Sequence, residues 1–383
     1  MTRIAAEWVT RPQTRRVMQA LGQGRHQAFF VGGCVRNALI DAPVDDIDIS
    51  TDARPERVIE LAEAAKLKAV PTGIEHGTIT VVSGGIPHEV TTFRKDVETF
   101  GRHAVVAFST DIEDDARRRD FTMNALYADA EGRLHDPLDG LPDLRARHVR
   151  FIDDPEQRIR EDYLRILRFF RFHAWYGDPA EGLNAEGLAA AAALADGLET
   201  LSRERVGAET KKLLSAPDPS PAVAAMAQAP ILFHVLPGAD AERLPVLVHL
   251  EQAAGVAPDP IRRLALLGGQ EIPDRLRLSK AEGKRLHLLR DGIGSEAGTA
   301  ELAYRQGPEA ARDIELLRAA TFEAPLPAAL EDDIAAGAKA VFPVKAADLM
   351  PRYHGPELGR KLAELERRWI ASRFTLDRDA LLG

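Results

Sequence analysis

AFFVGGCVRNALIDAPVDDIDIST, residues 28–51, is the stretch whose reading decides the fold. AFFVGG (28–33) is a short apolar strand entering a glycine turn, and CVRNALI (34–40) has helical spacing. DIDIST (46–51) alternates polar and apolar, the pattern of a strand with one face buried. A strand repeats every two residues, so Asp46 and Asp48 are expected on one face. Two carboxylates side by side repel unless a cation lies between them. Hard oxygen donors suit Mg²⁺, which keeps waters and takes one or two protein carboxylates plus substrate phosphates. Asp45 and Asp52 face away or fall outside the strand. Gly32 and Gly33 let backbone N–H groups approach a triphosphate, a helix start favours anions, and Arg36 is spaced to reach the same phosphates. Alone, a D-x-D is a common solvated strand edge and a Gly-Gly pair an ordinary turn. Their combination carries the reading.

Outward from this segment, PERVIELAEAAK (55–66) is an amphipathic helix with proline in its first turn. GTITVVSG (77–84) and PHEVTTF (87–93) are two strands joined at a Gly-Gly turn. Glu89, with Val90 on the opposite face, is the best third acid for a two-metal site. The plainer alternative is a surface glutamate paired with a base. Residues 94–117 are polar and charged, and a mobile loop is expected there. RDFTMNALYAD (119–129) reads as a short helix leading into a strand. Beyond Asp143 the pattern is helical almost throughout, broken near Gly177–Pro179, Pro217–Pro221, Pro258–Pro260 and Pro325–Pro327. The fold class is α+β: an α/β head followed by an all-helical remainder.

The chain's 383 residues suffice for two or more domains, and 45% hydrophobic with 28% charged content is that of a globular protein. No apolar run is long enough for a membrane span, and the N-terminus lacks the apolar core of a secretory signal. One cysteine, Cys34, excludes an internal disulfide framework and a cysteine-rich zinc site. A cytoplasmic protein is expected. The net charge of −9 argues weakly against nucleic acid, but distribution outweighs the sum. Between 145 and 171 lie Arg145, Arg147, Arg150, Arg158, Arg160, Arg165, Arg168 and Arg171.

EDYLRILRFFRF (161–172) reads as one helix with a buried stripe of Leu164, Leu167 and the phenylalanines at 170 and 172. Asp162, Arg165 and Arg168 follow at intervals of three and share a face, and Arg171 extends the row. A lone Asp–Arg pair at that spacing is usually an intrahelical salt bridge worth a few tenths of a kcal/mol. Here the row runs on into arginines without matching acids nearby, which points to an anionic ligand. A carboxylate beside a guanidinium also presents acceptors and donors to the Watson–Crick edge of a base.

Taken together, VGGCVRNALI, DDIDIST, HEVTTFR, RRRDFTMNALYAD, DPLDGLPDLRARHVRFIDDPEQRIREDYLRILRFFRF and SRERVGAETKKLL (202–214) resemble the class II CCA tRNA nucleotidyltransferase and bacterial poly(A) polymerase family. The match covers residues 28–215, several motifs in order. The resemblance implies a polymerase beta-like nucleotidyltransferase head with a five-stranded mixed sheet (1–142), a helical neck (143–216), and a helical body and tail (217–383). It implies Asp46, Asp48 and Glu89 as catalytic ligands of two Mg²⁺ ions. Gly32, Gly33, Arg36 and Arg119 would bind the nucleotide, and Asp120 and Asn124 would orient the sugar or brace the site. Asp162 and Arg165 would act as the protein template for C and A, with Arg168 and Arg171 on phosphates. The loop 94–117 would help switch from C to A. The expected activity is addition of CCA to the 3′ end of tRNA from CTP and ATP, with tRNA held by shape and backbone contacts and no obligate protein partner. One departure stands out: Asn37 replaces the family's aspartate, keeping size and an acceptor but losing charge.

Other readings fit parts of the same sequence. A poly(A) polymerase, or an A-adding or CC-adding specialist, fits the same head, but PTGIEHGTITV (71–81) lacks the arginine-rich segment expected of a poly(A) enzyme. His135-Asp136 is the dipeptide of metal-dependent phosphohydrolases, yet the remaining histidines show no ligand spacing. A non-catalytic RNA-binding helical protein is the third class. Cys34 reads as a packed small residue.

Overall fold

The computed structural model describes the chain apart from Met1, Gly101, Arg102 and Pro351, and the backbone alone over 96–106. Two compact units arise, Met1–Pro237 and Gly238–Gly383.

In the first unit α1 (Glu7–Thr10) and α2 (Pro12–Gln23) lead to β1 (Ala28–Val31), α3 (Gly33–Leu39), β2 (Asp48–Thr51) and α4 (Pro55–Ala64). β3 (Lys68–Gly73), β4 (Thr78–Ser83) and β5 (Ile86–Thr92) follow. Next come β6 (Arg94–Phe100), β7 (His103–Phe108), α5 (Ile112–Arg117), β8 (Tyr127–Ala128) and β9 (Leu134–His135). Seven of these strands form one sheet among the described residues, in the order β3-β4-β5-β2-β1-β8-β9. Only the β2–β5 pair is parallel, so the sheet is mixed as expected. Gly84 and Gly85 both have positive φ (57° and 84°), which is the geometry of the tight turn joining β4 to β5.

The expectation of five strands falls short by two. β3 carries Pro71 and an irregularity between Val70 and Gly73, so its alternation is broken; β9 is two residues long. The expectation of a loop over 94–117 is also corrected. β6 and β7 pair as an antiparallel hairpin, and α5 is capped by Asp111 accepting from the Glu113 N–H at 2.9 Å. Charged residues around AVVAF (104–108) hide its strand character. Within this stretch Gly101 and Arg102 lie outside the described residues.

The helical part of this unit runs through α6 (Gly140–Arg145), α7 (Pro155–Glu161), α8 (Leu164–Tyr176), α9 (Ala185–Ala193), α10 (Arg203–Leu214), α11 (Ser220–Gln228) and α12 (Ile231–Val235). The inner face of α8 is apolar, with Ile166, Leu167, Phe169, Phe170 and Phe172 buried. Its phenylalanines join those of the head: Phe121 lies 4.8 Å from Phe172 and 4.9 Å from Phe151, and Phe151 lies 5.4 Å from Phe169, ring centre to ring centre. Aromatic clusters of this kind bury much area in fixed geometry. They pack the inner face of α8 against Phe121 and Phe151.

The second unit is helical throughout its described residues, from α13 (Leu244–Ala253) to a final helix at Arg378–Leu382. α14 (Pro260–Leu267) places Arg262 and Arg263 in its core, where both contact Glu251, and Arg262 also reaches Asp313 at 2.6 Å. No helix among the described residues is long and apolar enough to cross a membrane.

Candidate active site

Gly32 sits at φ +70°, a conformation that glycine adopts without strain, at the end of β1. A Cβ there would lie 3.2 Å from the Arg119 guanidinium, so the missing side chain leaves space for that group. Immediately after, Arg36 projects from α3 and is buried. Its Nη1 donates to the Asn124 Oδ1 at 2.5 Å, its Nη2 to the Tyr176 hydroxyl at 2.8 Å, and its Nε and Nη2 to the Asn37 Oδ1 at 3.1 and 2.8 Å. The guanidinium carbon lies 4.0 Å from the Tyr176 ring centre and 5.1 Å from that of Phe172. Burial pushes the Arg36 pKa down, with Tyr176 and Asp120 opposing and Arg171 and Arg168 reinforcing. Several cations are thus gathered where anionic ligands would relieve them.

The acids stand beside this cation cluster. Asp48 opens β2 and pairs in register with Glu89 of the parallel strand β5, so the two side chains leave the same face. Asp46 lies outside the strand, in the irregular segment between α3 and β2. The expectation that both aspartates are strand residues is therefore corrected: the ladder reaches no further than the Ile47 carbonyl, which accepts from the Glu89 N–H at 3.2 Å. Burial, then Glu89, and lastly Asp46 push the Asp48 carboxyl up to about 6, against the pull of Arg119. A carboxylate held at this cost by neighbouring carboxylates suits a hard cation. Among the described residues no three His, Cys, Asp or Glu side chains are gathered closely enough to hold an ion unaided. The donor set fits an ion that completes its shell with phosphate oxygens and water.

Behind the site is a bracing network that the sequence did not reveal. Arg119 donates through Nη2 to Asp115 at 3.1 Å and to Ser50 at 3.3 Å, and through Nε to the Tyr127 hydroxyl at 3.2 Å. Burial opposes the charge on Arg119, but Tyr127 and Asp115 hold its pKa above the usual arginine value. Asp115 is fully buried; burial would raise its pKa, yet Arg118 and Arg119 hold it well below the carboxylate range. Asp120 accepts from Asn124 Nδ2 at 2.8 Å and from Arg168 at 2.6 and 2.7 Å. Despite burial, Arg168 and Asn124 keep it ionised well below its ordinary pKa. Asp120 and Asn124 therefore hold the Arg168 and Arg36 guanidiniums.

The arginine row departs from its expected form. α7 ends at Glu161 and α8 begins at Leu164, so EDYLRILRFFRF is not one helix. Asp162, at φ −154° and ψ 105°, joins the two, and its Oδ1 accepts from the Leu164 N–H at 3.1 Å. A short acidic side chain that bonds the backbone two residues on is a common helix interrupter. Asp162 does not pair with Arg165 through its side chain. Its Oδ2 accepts from Arg205 of α10 at 2.6 Å. Arg165 donates to Glu161 Oε2 at 2.6 Å, the Arg158 carbonyl at 2.8 Å and the Arg118 carbonyl at 3.0 Å. Of its five N–H donors, three are so used and two remain. The arginines further along are not without acids either: Arg168 pairs with Asp120, and Arg171 Nε donates to Glu209 Oε2 at 2.6 Å. Both acids come from other elements, which periodicity cannot see.

Even so, the expected residues converge. One cavity of about 430 Å³ is lined by Gly32, Gly33, Arg36, Asp48, Arg119, Asp120, Asn124, Asp162, Arg165, Arg168, Arg171 and Phe172. A larger hollow of about 780 Å³ lies along the helix Gly355–Ala371, but its lining has no such meeting of acids, glycines and buried guanidiniums. Asp46 and Glu89 stand outside the cavity lining, next to Asp48. The His135-Asp136 pair is structural: the Asp136 carboxylate accepts from the Gly140 and Leu141 N–H groups at 2.8 and 2.9 Å. Cys34 is buried, its Sγ 3.4 Å from the Val31 carbonyl, and burial pushes its thiol up to about 11, as befits a packed residue.

A mixed sheet that sets acids beside a glycine-floored cavity of arginines defines a nucleotidyltransferase head. Residues 28–150 match the family model described as the poly A polymerase head domain, and residues 183–243 that of a probable RNA- and SrmB-binding site of polymerase A. The chain belongs to the CCA tRNA nucleotidyltransferase family. It is 32% identical to the mitochondrial CCA tRNA nucleotidyltransferase 1 of Mus musculus over 94% of this chain and 86% of that protein. With a CCA-adding enzyme of Anoxybacillus flavithermus it shares 38% identity over 59% of its own length and 55% of the relative's. Among solved structures, a Bacillus stearothermophilus CCA-adding enzyme in complex with CTP superimposes with a TM-score of 0.70 at 28% identity, covering 94% of each chain. A Thermotoga maritima CCA-adding enzyme complexed with tRNA shares the fold, with a TM-score of 0.72 at 17% identity over 99% of this chain and 97% of that one.

Proposed function

We propose that the protein adds C, C and A in turn to the 3′ end of tRNA, using CTP and ATP without a nucleic acid template. The observation that carries this reading is the single cavity in which Asp48, Arg36 and Arg119 meet Asp162 and Arg165. The 3′-hydroxyl oxygen of tRNA bonds to the α-phosphorus, the bond from that phosphorus to the bridging oxygen breaks, and pyrophosphate leaves with the electron pair. Asp46, Asp48 and Glu89 would hold two Mg²⁺ ions, which supply charge neutralisation on the triphosphate and acidify the attacking hydroxyl. Arg36 and Arg119 hold phosphates, and the braces on them keep the guanidiniums in place before substrate arrives. Arg168 and Arg171 extend the positive field along the cavity.

Base choice falls to Asp162 and Arg165. Each Asp162 oxygen keeps a lone pair beyond the bonds described, open to an exocyclic amine of cytosine or adenine. The two remaining Arg165 donors face a ring nitrogen or the cytosine carbonyl. Residues 1–142 would supply the metal and triphosphate sites, 143–216 the base reader, and 217–383 the tRNA surface. The cytoplasm is the proposed compartment, with the single free thiol of Cys34 as its support.

Purified protein incubated with tRNA ending at the discriminator base tests this directly. CTP alone should add two residues, ATP alone none, and both together three. An A tract from ATP alone would identify a poly(A) polymerase, and no addition under any condition would sink the catalytic reading.

A further inference from the structure

We infer that Asn37 is a positioning residue that ties the phosphate-binding arginine to the loop delivering Asp46, and that its task requires an amide. The inference rests on the proposed metal role of Asp46 and Asp48. Asn37 is half-buried in the last turn of α3. Its Oδ1 accepts from two nitrogens of Arg36, at 3.1 and 2.8 Å. Its Nδ2 donates to the Pro43 carbonyl at 2.6 Å. The backbone repeats the link, since the Asn37 carbonyl accepts from the Ile40 N–H at 3.2 Å and the Ala42 N–H at 2.9 Å. Asp41 lies between these anchors at φ +54°, a sparsely populated conformation for a side-chain-bearing residue, so the turn is over-determined by its bonds.

Chain continuity gives the tether its reach. Pro43 precedes Asp46 by three residues, and no ladder bond holds the segment between Pro43 and Ile47. The anchor at Pro43 therefore sets where Asp46 enters the site. An amide serves both ends because it accepts at oxygen and donates at nitrogen. An ionised carboxylate of the same size would still accept from Arg36, more strongly because of its charge. It would put an oxygen against the Pro43 carbonyl and lose that bond.

Asn37→Asp and Asn37→Ala separate the two ends. Hydrogen exchange of the peptide spanning 41–47, in protein without nucleotide, reads the tether without reference to turnover. It should quicken about five- to tenfold in both variants, the loss of roughly one hydrogen bond, while exchange of the 164–176 peptide stays unchanged. In CMP addition, the Mg²⁺ concentration at half-maximal rate should rise at least about threefold in both variants. The CTP KM should rise only in Asn37→Ala, because only there is the Arg36 acceptor lost. Unchanged exchange over 41–47, or a superimposable Mg²⁺ curve in Asn37→Asp, would overturn the inference. So would an equal KM in the two variants. Asp48→Ala run in parallel distinguishes the failures: normal turnover there would remove the metal reading itself, whereas an inactive Asp48→Ala with an unaffected Asn37→Asp removes only the role of Asn37.

Discussion

At the scale of single residues, Asp48 is the carboxylate of the site whose environment opposes its charge. Its carboxyl titrates near 6, raised by burial and by Glu89. A raised acid binds its proton more tightly in the folded state, so without divalent ions stability falls as pH rises from about 4 to about 6. Above that window Asp48→Asn should be more stable than the parent by roughly 1–2 kcal/mol after allowance for partial exposure, measured by urea unfolding in EDTA at pH 8. It should also be inactive. An unchanged or lower stability would remove the strained carboxylate from the account. For turnover, protons and metal compete for the same oxygen. The acid limb of the pH profile should sit near 6 at limiting Mg²⁺ and move to lower pH as Mg²⁺ rises; a limb independent of Mg²⁺ would contradict the assignment. This pair of acids was legible because Asp48 and Glu89 each lie in strongly patterned strands. Asp46 falls outside the strand although the alternation of DIDI begins there, because the ladder starts only at Asp48.

At the scale of elements, the join between α7 and α8 matters most. Spacing alone gave one helix, because residues three apart in sequence look identical on either side of a break. What separates α7 from α8 is the Asp162 side chain, which accepts from the Leu164 N–H two residues on. The break points the Asp162 backbone out of the helix and leaves its second oxygen to Arg205. Arg205 and Glu209 lie in SRERVGAETKKLL, whose own pattern shows only a helix. Their partners are 43 and 38 residues away, beyond the range of any periodic signal. Removing Arg205 should free Asp162 without touching the acids of the sheet. Arg205→Ala is therefore expected to lower discrimination between CTP and ATP about tenfold, at the low end of what a base contact contributes, with a smaller change in the summed rate. Kinetics with each nucleotide on tRNA ending in the discriminator base reads this. A fall in rate with full selectivity would make Arg205 merely structural.

For the whole molecule, division into two units bears on stability. The 238–383 unit contains Arg262 and Arg263, both nearly fully buried and both on Glu251, which is itself 1% exposed. Removing Glu251 takes a buried counterion from both guanidiniums at once, at about 3–5 kcal/mol. Glu251→Ala should lower the melting temperature of residues 238–383 while the 1–237 unit keeps its own transition, a split visible by calorimetry; one undisturbed transition would contradict this. The mixed-sheet head was legible in outline because its motifs are local and glycine-punctuated. The unit boundary at Pro237 was not, because helix follows helix there and composition does not change. Sheet edges β3 and β9 escaped for the opposite reason, being too short or too irregular to carry a period.

One cavity joins Asp48 to Asp162 and Arg165, the residues proposed to read the base. Single-turnover nucleotide selectivity of Asp162→Ala tests that role most directly, with CTP and the other nucleotides in competition on tRNA lacking its 3′ end. Preference for C should fall by about 10- to 100-fold, the contribution of one good base contact, while metal-dependent transfer persists. Transfer at undiminished selectivity would contradict it.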